Sequence, residues 1–186
     1  MPRTSNKRDR LIRSADQLIL RHGYRQTTLA DIAHDSGVPL GNVYYYFKTK
    51  EDIARTIIDT RIATMETLLT RCSRAADPRE RLLEFLHYPL ELRKEISDHG
   101  CPMGTLSYEI SRSTEGALSE GSRALIQVVL DWCTVQFEAM GKTDAGALAL
   151  QLVTRLQGMS LVANALNDPE VVDRVIQQTR DWLNSL

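Results

Sequence analysis

The chain has 186 residues and a mass of 21.0 kDa, which suits one medium domain or a small domain joined to a larger one, and at 42% hydrophobic it is not a disordered chain. A formal net charge of -1 excludes a diffuse polybasic binder of nucleic acid or membrane. The average conceals an asymmetry: residues 1–50 carry nine basic side chains (Arg3, Lys7, Arg8, Arg10, Arg13, Arg21, Arg25, Lys48, Lys50) against four acidic ones, and the remainder carries fourteen basic against twenty acidic, so a basic head sits on an acidic body.

Apolar spacing is helical almost throughout, and strand-like alternation is missing. Leu11, Ala15, Leu18 and Ile19 form the first stripe, which is expected to stop at His22-Gly23, where glycine supplies a left-handed cap. A short helix follows from Thr28, whose hydroxyl caps it while Asp31 completes a capping box. The run Asp35-Ser36-Gly37-Val38-Pro39 is a turn, and Pro39 opens a second short helix to Phe47, because proline is tolerated in a first turn. Thr49 and Asp52 repeat the capping pattern and start a long helix to about Arg71. Asp77-Pro78 and Asp168-Pro169 each pair an acidic cap with a proline, predicting helices over about 78–97 and 169–184. Between them, the spacing from Leu118 to Met140 predicts one long helix, and Thr143-Asp144 opens another to about Leu166. The fold class is all-α, with about nine helices.

The informative stretch is residues 27–50, TTLADIAHDSGVPLGNVYYYFKTK. Two short helices joined by a glycine-containing turn describe a helix-turn-helix. On a helical wheel Leu40, Val43 and Phe47 fall together and are expected to pack on Ile32 and Ala33. Gly41, Asn42, Tyr45 and Tyr46 then point outward, with Tyr44 on the flank. Three consecutive tyrosines cannot all be buried on one helix. Their hydroxyls can bond phosphates, asparagine can read an adenine edge, and glycine admits a close backbone approach. Lys50 and Thr28 stand at helix starts that suit phosphate.

These residues resemble the DNA-binding domain of the TetR family of transcriptional regulators: Thr27-Thr28, Ile32-Ala33, Gly37-Val38, Tyr44 through Phe47, and Lys50-Glu51 follow that family's pattern over about residues 7–55. The resemblance implies an N-terminal three-helix DNA-binding domain (1–50) and a C-terminal helical ligand-binding and dimerisation domain (51–186). It implies Thr28, Tyr44 and Lys50 on phosphates, and Gly41, Asn42, Tyr45 and Tyr46 near base edges. Pro39 and Leu40 depart from the pattern, standing where a serine and a basic residue are common.

In the C-terminal part no GxGxxG, P-loop, HExxH or GxSxG occurs, so neither an enzyme nor a cofactor is expected; His99 and Cys101 lack a third orienting group for thiol catalysis. A small-molecule inducer pocket is expected among inward-facing Phe85, Tyr88, Met103, Tyr108, Trp132, Phe137 and Met159. Residues 99–106 resemble a Gly-Cys-x-x-Gly-x-Leu segment found in a subset of the family. There Cys101 is either a thiol sensor, activated by His99 or by the helix after Pro102, or a small residue that permits close packing. The last two helices are expected to form a homodimer, with apolar area from Leu148, Leu152, Leu156, Val162, Val171, Val172, Val175, Ile176 and Leu183.

Three cysteines without a C-x-x-C pair argue against disulfides and zinc. The N-terminus has no apolar run behind its charges, and no stretch approaches about eighteen consecutive apolar residues, so no membrane association is expected and the protein is expected to be cytoplasmic. The function expected is a ligand-responsive regulator, most simply a repressor on a palindromic operator. The competing expectation is a helical module whose helix-turn-helix contacts protein.

Overall fold

The computed structural model describes residues 6–113 and 116–186; Arg3, counted above with the basic head, lies outside the described residues. Among the described residues the structure is all-helical, with eleven segments: α1 (Asn6–His22), α2 (Leu29–Ser36), α3 (Leu40–Tyr46), α4 (Lys50–Cys72), α5 (Pro78–Phe85), α6 (His87–Glu91), α7 (Arg93–His99), α8 (Pro102–Ser113), α9 (Ala117–Ala139), α10 (Ala145–Leu166) and α11 (Glu170–Ser185). Segments α5 to α7 occupy the span expected as one helix over 78–97, so the nine expected rods are present with one of them broken. Pro89 explains the first break. It lacks the N–H that would bond the carbonyl four residues back, and its ring crowds that carbonyl, so the rod is interrupted at Leu86.

The helix ends follow local chemistry. Gly23 takes φ +86° after α1, and Gly37 takes φ +62° after α2, where its N–H reaches the Ala33 and His34 carbonyls. Asp77 caps α5 by accepting from the Arg79 and Glu80 N–H groups at 2.7 and 3.3 Å. Asp168 accepts from the Glu170 N–H at 2.9 Å, and α11 begins one residue later than the sequence suggests.

Contacts divide the chain into two compact units. The first runs to Arg61 and includes Thr105–Leu125; the second comprises Ile62–Gly104 and Ile126–Leu186. The core of the first is built from Leu11, Ala15 and Ile19 of α1, Ile32 and Ala33 of α2, Val43 of α3, and Ile53, Ala54 and Ile57 of α4, joined by Leu106 and Ile110 of α8. Asp16 and Arg61 pair within it at 2.7 Å. In the second, α10 packs on α11 and α7, and α11 also packs on α5 and α6. Leu152, Phe137 and Ile176 are wholly or almost wholly buried there.

Candidate nucleic-acid interface

The helix-turn-helix is formed by α2, the turn at Gly37–Pro39, and α3. Thr28 is the N-cap of α2 in extended conformation, and the capping box is complete: its Oγ1 accepts from the Asp31 N–H at 3.2 Å, and Asp31 Oδ2 accepts from the Thr28 N–H at 2.9 Å. The Thr28 hydroxyl also donates to Asp31 Oδ2 at 2.6 Å, and these bonds hold the Asp31 carboxyl below its usual pKa. Ser14 ties α1 to the far end of α2 by donating to Asp35 Oδ2 at 2.6 Å. Arg10 donates to the Ser36 carbonyl beside Gly37.

Pro39 is the N-cap of α3 rather than its first residue; its carbonyl accepts from the Asn42 and Val43 N–H groups at 2.8 and 3.2 Å, with no side-chain cap. Val43 and Phe47 are buried as expected, and Ile32 and Ala33 with them. Leu40 is not: it is exposed. As the first helical residue its Cβ leans toward the N-terminal end, and Val38 (2% exposed) is the buried apolar residue in that turn.

The outward face carries Gly41, Asn42, Tyr44, Tyr45 and Tyr46. Tyr45 is 78% exposed and Tyr44 47% exposed, while Asn42 and Tyr46 are half-buried. The Tyr45 and Tyr46 rings meet edge to face, 5.0 Å between centroids, which fixes the pair as one aromatic surface. A Cβ built on Gly41 meets nothing within 4 Å. Glycine there costs about 1 kcal/mol of helix propensity relative to alanine, and nothing in the isolated fold requires it. Lys48 closes the other end of α3 by donating from Nζ to the Tyr44 carbonyl at 2.9 Å.

Lys50, expected on a phosphate, is half-buried and turned back into the head. Its Nζ donates to the Tyr24 carbonyl at 2.9 Å and the Arg25 carbonyl at 3.3 Å, and lies 4.5 Å from the Tyr24 ring centroid. The Tyr24 hydroxyl donates to Glu51 Oε1 at 3.4 Å; burial, then the Glu51 charge, pushes the phenol up to about 12. Tyr24 was not singled out by sequence reasoning, and its signal was the Lys50-Glu51 pair that both reach it.

The residues expected to line an inducer pocket differ in exposure. Phe85, Met103, Phe137 and Met159 are buried in the second unit. Trp132 is half-buried there, donating from Nε1 to Ser73 Oγ at 2.9 Å, with its ring 5.7 Å from Phe85; Tyr88 is also half-buried. Tyr108 is a correction: it is 61% exposed and its hydroxyl accepts from Arg112 Nη1 at 2.8 Å. The buried stripe of α8 runs through Met103, Leu106 and Ile110, and two residues past Leu106 the helix has turned about 200°. A surface cavity of about 500 Å³ in the second unit is lined by Arg71, Cys72, Arg74, Ala75, Glu84, His87 and Glu91, none of them among the residues expected to line a pocket.

Cys101 is half-buried before α8. Its Sγ accepts from the Gly104 N–H at 3.4 Å and lies 3.5 Å from Gln157 Nε2, so Gln157, not His99, is the side chain bonded to the sulfur. Cys72 and Cys133 are buried, and burial raises both thiols, Cys133 to about 12. Among the described residues no group of three or more metal-ligating side chains is gathered, and no helix is long and apolar enough to cross a membrane.

The apolar residues expected at a dimer face are also corrected. Leu148, Leu152, Leu156, Val171, Val172, Ile176 and Leu183 are buried within the subunit and Val175 is half-buried, leaving Val162 as the exposed one. The solvent-facing stripe of α10 is instead Leu150, Leu161, Val162 and Leu166, interleaved with exposed Ala147, Gly158 and Ala165.

A basic first unit whose second short helix presents tyrosines and an uncrowded glycine beyond a left-handed turn defines a helix-turn-helix DNA-binding protein. Residues 11–57 match the family described as bacterial regulatory proteins, tetR family. The chain is 26% identical over 190 residues to the transcriptional regulator TtgR of Pseudomonas putida, covering 96% of this chain and 88% of that one. It is 24% identical over 131 residues to the transcriptional repressor NemR of Escherichia coli, covering 66% and 64%. A TetR transcriptional regulator from Legionella pneumophila superposes with a TM-score of 0.85 over 98% of each chain at 20% identity, which shows a shared fold. Residues 11–57 thus carry the DNA-binding region that the tetR family model describes, on a chain with the fold of a solved TetR regulator; the chain is a DNA-binding transcriptional regulator.

Proposed function

We propose that the chain is a homodimeric repressor, released from its operator by a small-molecule inducer or by modification of Cys101. The observation that carries the reading is the exposed face of α3: Tyr44 and Tyr45 stand in solvent beside Asn42 and a glycine that the fold does not need. A helix of seven residues is about 10 Å long and enters a major groove about 12 Å wide. Thr28 and Tyr44 serve phosphates, and Gly41, Asn42, Tyr45 and Tyr46 approach base edges.

The exposed apolar stripe of α10, flanked by α11, is the surface for the second copy; small residues at Ala147, Gly158 and Ala165 allow a partner helix to come close. Two heads then require a near-palindrome with half-sites about 34–36 Å apart or somewhat more. The inducer site is assigned to the second unit, around Phe85, Tyr88, Cys101, Met103, Trp132, Phe137 and Met159. Such a ligand must favour the DNA-incompetent state. The likeness to a protein described as a repressor supports repression over activation. A cytoplasmic location and the absence of catalysis follow from the same reading.

Selection of bound fragments from sheared genomic DNA, followed by footprinting, tests it. The expected result is a protected near-palindrome bound by one dimer or a pair of dimers. Recovery of no preferred sequence would overturn the reading.

A further inference from the structure

The turn between α1 and α2 is gripped from a helix outside the three-helix head. Glu109 of α8 accepts from the Arg25 N–H at 3.3 Å through Oε2. Its carboxylate also covers Gly23, where a Cβ would lie 2.8 Å from Oε1 and 2.9 Å from Oε2. Gly23 is held to glycine by its φ of +86°, and a Cβ there would also have to displace the Glu109 carboxylate. Lys50 holds the same turn through the carbonyls of Tyr24 and Arg25. Thr27 closes it with its hydroxyl on the Gly23 carbonyl at 2.9 Å, and the next residue is the N-cap of α2. The position of this turn therefore sets where the helix-turn-helix begins.

We propose that Glu109 is a positioning residue for operator binding: its carboxylate holds the α1–α2 turn, and through it α3, in the operator-competent setting. This rests on the regulator reading.

Simple electrostatics makes the opposite forecast, because removing an acid from a DNA-binding head strengthens phosphate attraction. The latch makes Glu109→Ala bind operator about tenfold more weakly through the loss of the charge-assisted hydrogen bond from the Arg25 N–H. Glu109→Gln, which keeps an acceptor for the Arg25 N–H, stays within about threefold of wild type. Exposed Glu120 serves as the charge control, and Glu120→Gln leaves affinity unchanged. Operator affinity is measured by anisotropy, and amide exchange at Arg25 is followed without DNA. Faster Arg25 exchange in Glu109→Ala and the graded affinity series are the expected results. Wild-type affinity in Glu109→Ala, or equal tightening by Glu109→Gln and Glu120→Gln, would overturn the proposal. Failure of the wild-type chain to bind any selected DNA defeats the regulator reading instead; unchanged Arg25 exchange then defeats the latch separately.

Discussion

Replacing Lys50 with methionine separates a structural lysine from a phosphate-binding one. Methionine keeps most of the aliphatic stem and removes the ammonium, which donates to the Tyr24 and Arg25 carbonyls and lies 4.5 Å from the Tyr24 ring centroid. A hydrogen bond from a charged donor contributes about 1.5–3 kcal/mol and the cation–π contact about 0.5–1 kcal/mol at a partly exposed site, so about 2 kcal/mol is expected once solvent screening is allowed for. In a chain of this size that is a fall in Tm of about 4–8 °C, compared at equal protein concentration because a dimer's midpoint depends on it. A phosphate contact reads out differently. Its loss would lower the slope of log affinity against log salt by about 0.9 and leave the midpoint alone. Calorimetry and anisotropy over a salt series on the same preparations decide the matter. An unchanged Tm together with a slope smaller by about one unit would refute the structural assignment of Lys50.

Other substitutions probe the site and its scaffold. Tyr45→Ala should cost about 1–3 kcal/mol in operator affinity, measured by anisotropy, and leave Tm unchanged because the side chain is 78% exposed. Gly37→Ala should destabilise the chain by about 1–2 kcal/mol in urea unfolding, since the left-handed turn penalises a Cβ, which would also lie 2.8 Å from Arg10 Nη2. Alkylation at pH 8 followed by mass spectrometry should label Cys101 first, whereas Cys72 and Cys133 should react fully only after denaturation. Tyr24 carries a pH dependence: its folded pKa of about 12 lies above the ordinary 10.0, so its contribution to stability is complete below pH 10 and is lost as pH rises towards 12. Thermal melts over that range should show a smaller alkaline loss in Tyr24→Phe than in wild type.

What the sequence made legible was local chemistry. A threonine three residues before an aspartate, an aspartate before a proline, and a glycine after a helical stripe each name their own hydrogen-bond partners, and Thr28, Thr49, Asp77, Gly23 and Gly37 all behave accordingly. Pro89 was readable in the same way, but the apolar periodicity across 78–97 masked its effect. Tertiary choices were harder. The last two helices supply apolar residues on more than one face, and periodicity cannot say which face the subunit uses. In the fold Leu148, Leu152 and Leu156 enter the core and Leu150, Leu161 and Leu166 stay outside. Lys50 was recognisable by its place in the motif, yet its partners lie 25 and 26 residues back in the chain, beyond any local rule. Glu109 has no motif at all, and only the fold brings it to the Arg25 N–H.

The central claim is that α3 docks on DNA through phosphate contacts and base edges. Anisotropy titrations of the purified chain on its selected operator and on a scrambled duplex of equal length, from low to moderate salt, test it most directly. The account predicts tighter binding to the operator than to the scrambled duplex, with affinity falling steeply as salt rises and one dimer or more per site. Equal, weak binding to both duplexes with a shallow salt dependence would contradict it and assign the helix-turn-helix to a protein partner.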